Sequence, residues 1–166
     1  MNPFRFAVLV ALATFLASTT ALAAGSGKVE SSPDPEIAQY NKGVGLMLRK
    51  KFSKAEKWFR KSLATKEDFA EAHNNLGYCL RKQGPDEYEE ALTHYNRAIE
   101  LAPKLPEPYM YRGVLYVQMG DEELAKKDRD TLETLSPGLA KELAYVIENK
   151  REKKPEQFFG VSREFD

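Results

Sequence analysis

Three glycines set the terms on which this chain can fold. Gly43, Gly77 and Gly113 sit inside helix-like stretches, 34 and 36 residues apart, where a lone glycine costs about 1 kcal/mol relative to alanine. A second small residue follows each of them, Ala55, Ala91 and Ala125, at intervals of 36 and 34 residues. Both series therefore place the same two extra residues between Gly77 and Ala91, in the turn RKQGPDEYEE. Twelve residues beyond each alanine stand Glu67, Pro103 and Pro137, so two of the three units stop at a proline, which cannot continue a helix. An aromatic four residues after the alanine, Phe59 and Tyr95, is followed three later by Ser62 and Ala98. Self-similarity at a fixed period marks stacked supersecondary units. Each glycine is predicted to lie where two helices cross closely, with the alanine of the second helix facing it.

Boundary residues agree with that register. Helices are predicted over 35–49, 53–65, 68–83, 87–100, 106–119 and 121–134, with a seventh from Ser136-Pro137. Asp34-Pro35-Glu36 offers a cap followed by proline in the first turn, Ser53 with Glu56 and Asp86 with Glu89 have capping-box spacing, and Asp121 is placed to cap the sixth helix. On the seventh, Leu139, Leu143, Val146 and Ile147 share one face, while Lys141, Glu142, Glu148 and Lys150 fall largely on the other. Such a helix covers the apolar surface left open at the end of a repeat array.

The pattern resembles the tetratricopeptide repeat family, whose units of about 34 residues each form an antiparallel helix pair. The resemblance runs over residues 36 to 137 and is strongest in HNNLGYCLRKQGPDEYEEALTHYNRAIELAP, through Leu76, Gly77, Ala91, Tyr95, Ala98 and Pro103. Lys42 and Arg112 depart from it where the family prefers leucine, Glu67 replaces the unit-ending proline and Arg129 replaces the aromatic. The implied fold class is all-α, a helix-turn-helix solenoid of three repeats with a C-terminal capping helix, occupying residues 35–150. In this family the first helices of successive units line a concave, ligand-binding face. The resemblance therefore implies a groove formed by Tyr40, Val44 and Met47, by Asn74, Tyr78 and Arg81, and by Met110, Val114 and Val117. Members that bind chaperone tails hold a terminal carboxylate with a lysine and asparagines. Tyr40 and Val44 occupy the corresponding first-helix positions here, so that clamp is not matched.

The remaining segments flank this domain. Residues 1–23 join Arg5, the apolar run FAVLVALATFLA and the small-residue triplet Ala21-Leu22-Ala23, the pattern of a cleaved secretory signal; an uncleaved anchor is the alternative. A Gly- and Ser-rich flexible linker, 24–34, follows it, and a tail, 151–166, carries Phe158, Phe159 and Phe165 after Pro155. The tail is placed to dock on a partner or to fold back on the seventh helix. Export implies a periplasmic or secreted location, where the single cysteine, Cys79, can form no bridge within the chain. It reads as a small buried apolar residue.

Chemistry is poorly represented. On a helix advancing about 100° per residue, His73 and Cys79 point roughly 120° apart and cannot act together; the only other histidine is His94. Neither histidine stands at metal-ligand spacing with Cys or carboxylate, and the chain has no glycine-rich phosphate loop and no Gly-x-Ser-x-Gly elbow. No enzyme activity, catalytic residue, metal or cofactor is expected. The 25 basic and 25 acidic residues cancel, so there is no general field for nucleic acid, and no stable membrane insertion is expected once the signal is removed. The expected partner is a protein or peptide, bound by an adaptor, scaffold or assembly factor. A self-assembling module and a maturation factor for unfolded exported clients are the alternatives, with oligomeric state open.

Overall fold

The computed structural model describes residues 34–152; the expected signal peptide, nearly all of the linker and residues 153–166 of the tail lie outside the described residues. Those described form seven α-helices and no strand: α1 Pro35–Leu48, α2 Phe52–Thr65, α3 Ala70–Arg81, α4 Tyr88–Leu101, α5 Pro106–Met119, α6 Glu122–Leu135 and α7 Pro137–Asn149. The fold is an all-α helical repeat. Consecutive helices pack as the pairs α1/α2, α3/α4 and α5/α6, with α7 laid against both α5 and α6. The extra residues of the second unit form a 3-10 turn, Pro85–Glu87, entered through Gly84, so the insertion lies in the loop where the two spacing series locate it.

Proline stands in the first turn of α1, α5 and α7, where a missing N–H costs nothing. At the far end of α5, Gly120 adopts φ 90° and its N–H turns back to Tyr116 and Val117, the left-handed stop that glycine makes without strain. The predicted capping boxes do not form: no side-chain cap bond is made at Asp34, Asp121 or the starts of α2 and α4. Helix α2 begins one residue early, at Phe52, and Ser53 and Glu56 instead bind Gln83 of the α3–α4 loop at 2.6 and 2.8 Å. Lateral partners have taken side chains that the spacing assigns to the backbone.

The glycines do mark close crossings. A methyl group at Gly43 would stand 2.7 Å from the Phe59 ring, and at Gly77 2.9 Å from the Tyr95 ring and 3.1 Å from the Ala91 carbonyl. What faces each glycine is thus the aromatic ring four residues beyond the alanine, rather than the alanine methyl. Ala91, itself fully buried, lets the α4 backbone come close enough for the Tyr95 ring to pack against α3 at Gly77. The third unit solves the same problem differently. Arg129 offers no ring, and the space over Gly113 is filled by Leu143 of α7.

Two apolar cores result, one among α1 to α4 that also takes in Leu115 of α5, and one among α5 to α7, with Tyr111 packed against both. Cys79 is fully buried in the first, and burial pushes its thiol above the usual range. Glu142, expected on the solvent face of α7, is buried, since α7 is flanked by two helices rather than one.

A methyl at Gly77 overpacks the crossing, whereas one at Gly45, inside α1, meets nothing within 4 Å. Gly77→Ala is therefore expected to destabilise by about 1–3 kcal/mol, and Gly45→Ala to stabilise by about 0.5–1 kcal/mol. Chemical denaturation of both variants checks the contrast; equal midpoints would contradict the crossing.

Candidate functional site: the inner face of the odd-numbered helices

The odd-numbered helices form a layer in which α1 meets α3, α3 meets α5 and α5 meets α7, while no two even-numbered helices approach each other in this way. A two-layer stack curves toward its more closely spaced layer. The odd-numbered helices therefore carry the inner face.

All nine expected groove residues belong to this layer, but they do not form an open floor. Tyr40, Val44, Met47, Asn74, Arg81, Met110 and Val114 are buried, and only Tyr78 and Val117 keep partial exposure. The stripe runs between neighbouring inner helices, so most of its members are spent on interhelical packing. Tyr40 lies 4.8 Å from the Phe69 ring and accepts a hydrogen bond from Asn75 at 3.0 Å. Tyr78 is enclosed by Phe52 at 6.0 Å and Tyr111 at 5.1 Å. Met110 and Val114 belong to the second core.

Polarity is arranged end to end along the face. At the N-terminal end of α3 and α5 stand Glu71 and Glu107; burial raises the pKa of Glu107, and the charge of Glu71 adds to it. Among the described residues, two buried acceptors at this end, Asn74 Oδ1 and Glu107 Oε2, have no hydrogen-bond partner. At the C-terminal end of α3 stand Arg81 and Lys82, whose cations lie 5.5 and 5.8 Å from the Tyr78 ring centre. The face thus offers acceptors at one end, cations at the other and tyrosine rings between.

Two polar clusters escape the sequence patterns because their members come from different helices. Arg112, one of the departures from the repeat pattern, binds both carboxylate oxygens of buried Asp128 on α6 at 2.6 and 3.0 Å and Asn96 on α4 at 2.7 Å. It ties the third unit to the second. His73 and His94 meet with their Nδ1 atoms 2.9 Å apart, and His73 Nε2 lies 2.9 Å from the Glu67 carbonyl. A carbonyl only accepts, so His73 carries its proton on Nε2 and His94 Nδ1–H donates to His73 Nδ1. Among the described residues no group of three His, Cys, Asp or Glu is placed to hold a metal ion.

The bond needs an unprotonated His73 Nδ1, and burial disfavours charge on either ring. Burial lowers both pKa values, that of His94 to about 4, with His73 and Arg60 adding to the effect and Glu90 opposing it. A depressed histidine pKa means that stability is complete above the unfolded value near 6.5 and is lost as pH falls toward the folded value. Lowering pH from neutrality to about 5 should cost about 2 kcal/mol through His94. Unfolding midpoints measured across that window should fall in the parent and fall much less in His94→Asn; parallel slopes would overturn the assignment.

A family model described as TPR repeat matches residues 86–120, which hold α4, α5 and the loop between them. The second TPR domain of Spaghetti, bound to an HSP90 peptide, superposes with TM-score 0.58 at 23% identity, covering 62% of this chain and 94% of that one. The fold is a tetratricopeptide-type solenoid. The TPR domain of Arabidopsis OM64 aligns with TM-score 0.64 at 16% identity over 70% of this chain and 97% of its own. The translocator chaperone SycD of Yersinia enterocolitica gives 0.63 at 18%, over 75% and 99%. In sequence, a UDP-N-acetylglucosamine–peptide N-acetylglucosaminyltransferase of Giardia intestinalis is 37% identical over 70 residues, 42% of this chain but 5% of that enzyme. The matched stretch is thus a small part of that relative. Among the described residues, no helix of the solenoid is long and apolar enough to cross a membrane.

Proposed function

We propose that this chain is an exported protein-interaction module, an adaptor or assembly factor that holds an extended peptide segment of a partner along the inner face. The reading rests on the inner face of the solenoid, where partly exposed Glu71 and Glu107 stand at one end, exposed Lys82 at the other and partly exposed Tyr78 between them. An extended peptide brings a row of backbone N–H donors together with alternating side chains. The polar ends fix its orientation, and the tyrosines between supply rigid contact area. The peptide-bound Spaghetti domain supports the class of ligand. A self-assembling module draws less support, because among the described residues Leu124 is the one large apolar side chain that is strongly exposed. A holdase for unfolded clients needs an open apolar floor, and here that floor is closed by packing.

Export enters this proposal from residues 1–23, whose pattern places the mature N-terminus at Ala24 or one residue later. Sequencing the protein recovered from its native host checks it, and an intact Met1 on membrane-bound material would replace the signal with an anchor.

The binding reading is tested with a peptide selected from a displayed library of extended segments. Replacing both Asn74 and Tyr78 by Ala should weaken its capture by about thirtyfold, as central anchors do. Replacing the exposed Lys54 and Lys57 on α2 should change it little. Circular dichroism must show intact helices in each variant. Equal loss in both, or none in the first, would move the site off the inner face.

A further inference from the structure

One end of the inner face is closed by the chain itself. Glu152, beyond the last helix, reaches back to α3, where its carboxylate takes Nη1 of Arg81 at 2.8 Å, Nη2 at 3.3 Å and Nζ of Lys82 at 3.2 Å. Helix α5 lies between α7 and α3, and its Gln118 accepts from the same Arg81 Nη1 at 3.2 Å. Under this cover the Arg81 side chain has no exposed surface, while that of Glu152 keeps 30%. The two cations hold the Glu152 carboxyl well below its usual range, at about 2, against the opposing effect of burial.

We propose that Arg81 and Lys82 form a carboxylate-binding site on the inner face, that Glu152 fills it in the free protein as an internal stand-in for a ligand, and that an acidic side chain of an extended partner peptide takes the site by displacing Glu152. The proposal rests on the inner-face reading above and deepens it. Three features make Glu152 an exchangeable occupant rather than a fixed part of the fold. Glu152 follows a left-handed turn at Lys150, φ 55°, and belongs to no helix, so its departure breaks no helical hydrogen bond. The guanidinium fork presents two parallel donors that suit any carboxylate. Removing Glu152 without replacement would strand a buried cation, whereas exchanging one carboxylate for another leaves Arg81 paired throughout. The outer anchor of the segment, the ion pair of Lys150 with Glu122, is exposed and lies beyond the site. The free protein therefore has its highest affinity for segments that carry an acid, and Glu152 sets the threshold they must exceed.

The test uses the full chain and two labelled peptides of about eight residues with both ends capped, one alternating Leu and Glu, the other alternating Leu and Gln. Binding is read by fluorescence anisotropy, with circular dichroism confirming folded variants. E152Q vacates the site of its charge and should tighten the Leu/Glu peptide by about tenfold or more while leaving the Leu/Gln peptide unchanged. Adding Lys82→Gln, a change at an exposed position, should remove most of that gain. Equal tightening of both peptides would mean that Glu152 merely covers apolar surface, and no tightening would mean that it is a structural staple; either overturns the carboxylate site while the inner-face reading survives. If neither peptide binds parent or variant, the inner-face reading fails with it.

Discussion

The contact on which the rest of this molecule depends is the meeting of a glycine on one helix with an aromatic ring on the next. At Gly77 the gap is so narrow that a single methyl would collide with the Tyr95 ring and crowd the Ala91 carbonyl. A ring packed against bare backbone brings two helix axes close together and buries the apolar ring of Tyr95 or Phe59, each worth about 1.5–3 kcal/mol. That gain offsets the entropy and propensity that a mid-helix glycine costs. These contacts lock α1 to α2 and α3 to α4, giving the pairs that stack into the solenoid.

The third unit shows that the geometry, rather than the residue pattern, is what must be satisfied. Arg129 cannot supply a ring, and α7 delivers Leu143 over Gly113 in its place. The same unit gains a second tie in Arg112, whose fork reaches Asp128 on α6 and Asn96 on α4 at once. Two departures from the repeat pattern are therefore the means by which the last unit is joined to its neighbours. Helix α7 completes a hydrophobic contact as well as shielding an open end.

Electrostatics on the inner face follows from the same stacking. Successive first helices run parallel, so residues at like positions in successive units gather at the same edge. Glu71 and Glu107 collect at one edge, and Arg81 and Gln118 at the other. Because α7 ends on the second edge, the residue that leaves it arrives beside Arg81 with a carboxylate. The fold thus gathers carboxylates at one edge of the inner layer and basic groups at the other.

The spacing of Gly43, Gly77 and Gly113, with that of Ala55, Ala91 and Ala125, determined the helix pairing and the position of the insertion, because backbone approach demands small residues at fixed intervals and leaves them visible in one dimension; the apolar face of α7 showed that it packs on the last unit. The lone cysteine, read as a small buried residue, is buried. What only the tertiary structure decided was which side chains of the inner stripe remain available. Tyr40, Val44, Met47, Met110 and Val114 have the right phase for a groove, yet phase on a single helix cannot tell a surface facing a ligand from one facing the next helix. The caps failed for a related reason: Ser53 and Glu56 have capping spacing, but Gln83 lies within reach from another loop. The His73–His94 contact and the Arg81–Glu152 pair join residues 21 and 71 positions apart, separations at which sequence carries no sign of contact, since only the docking of one helix on another brings such groups together.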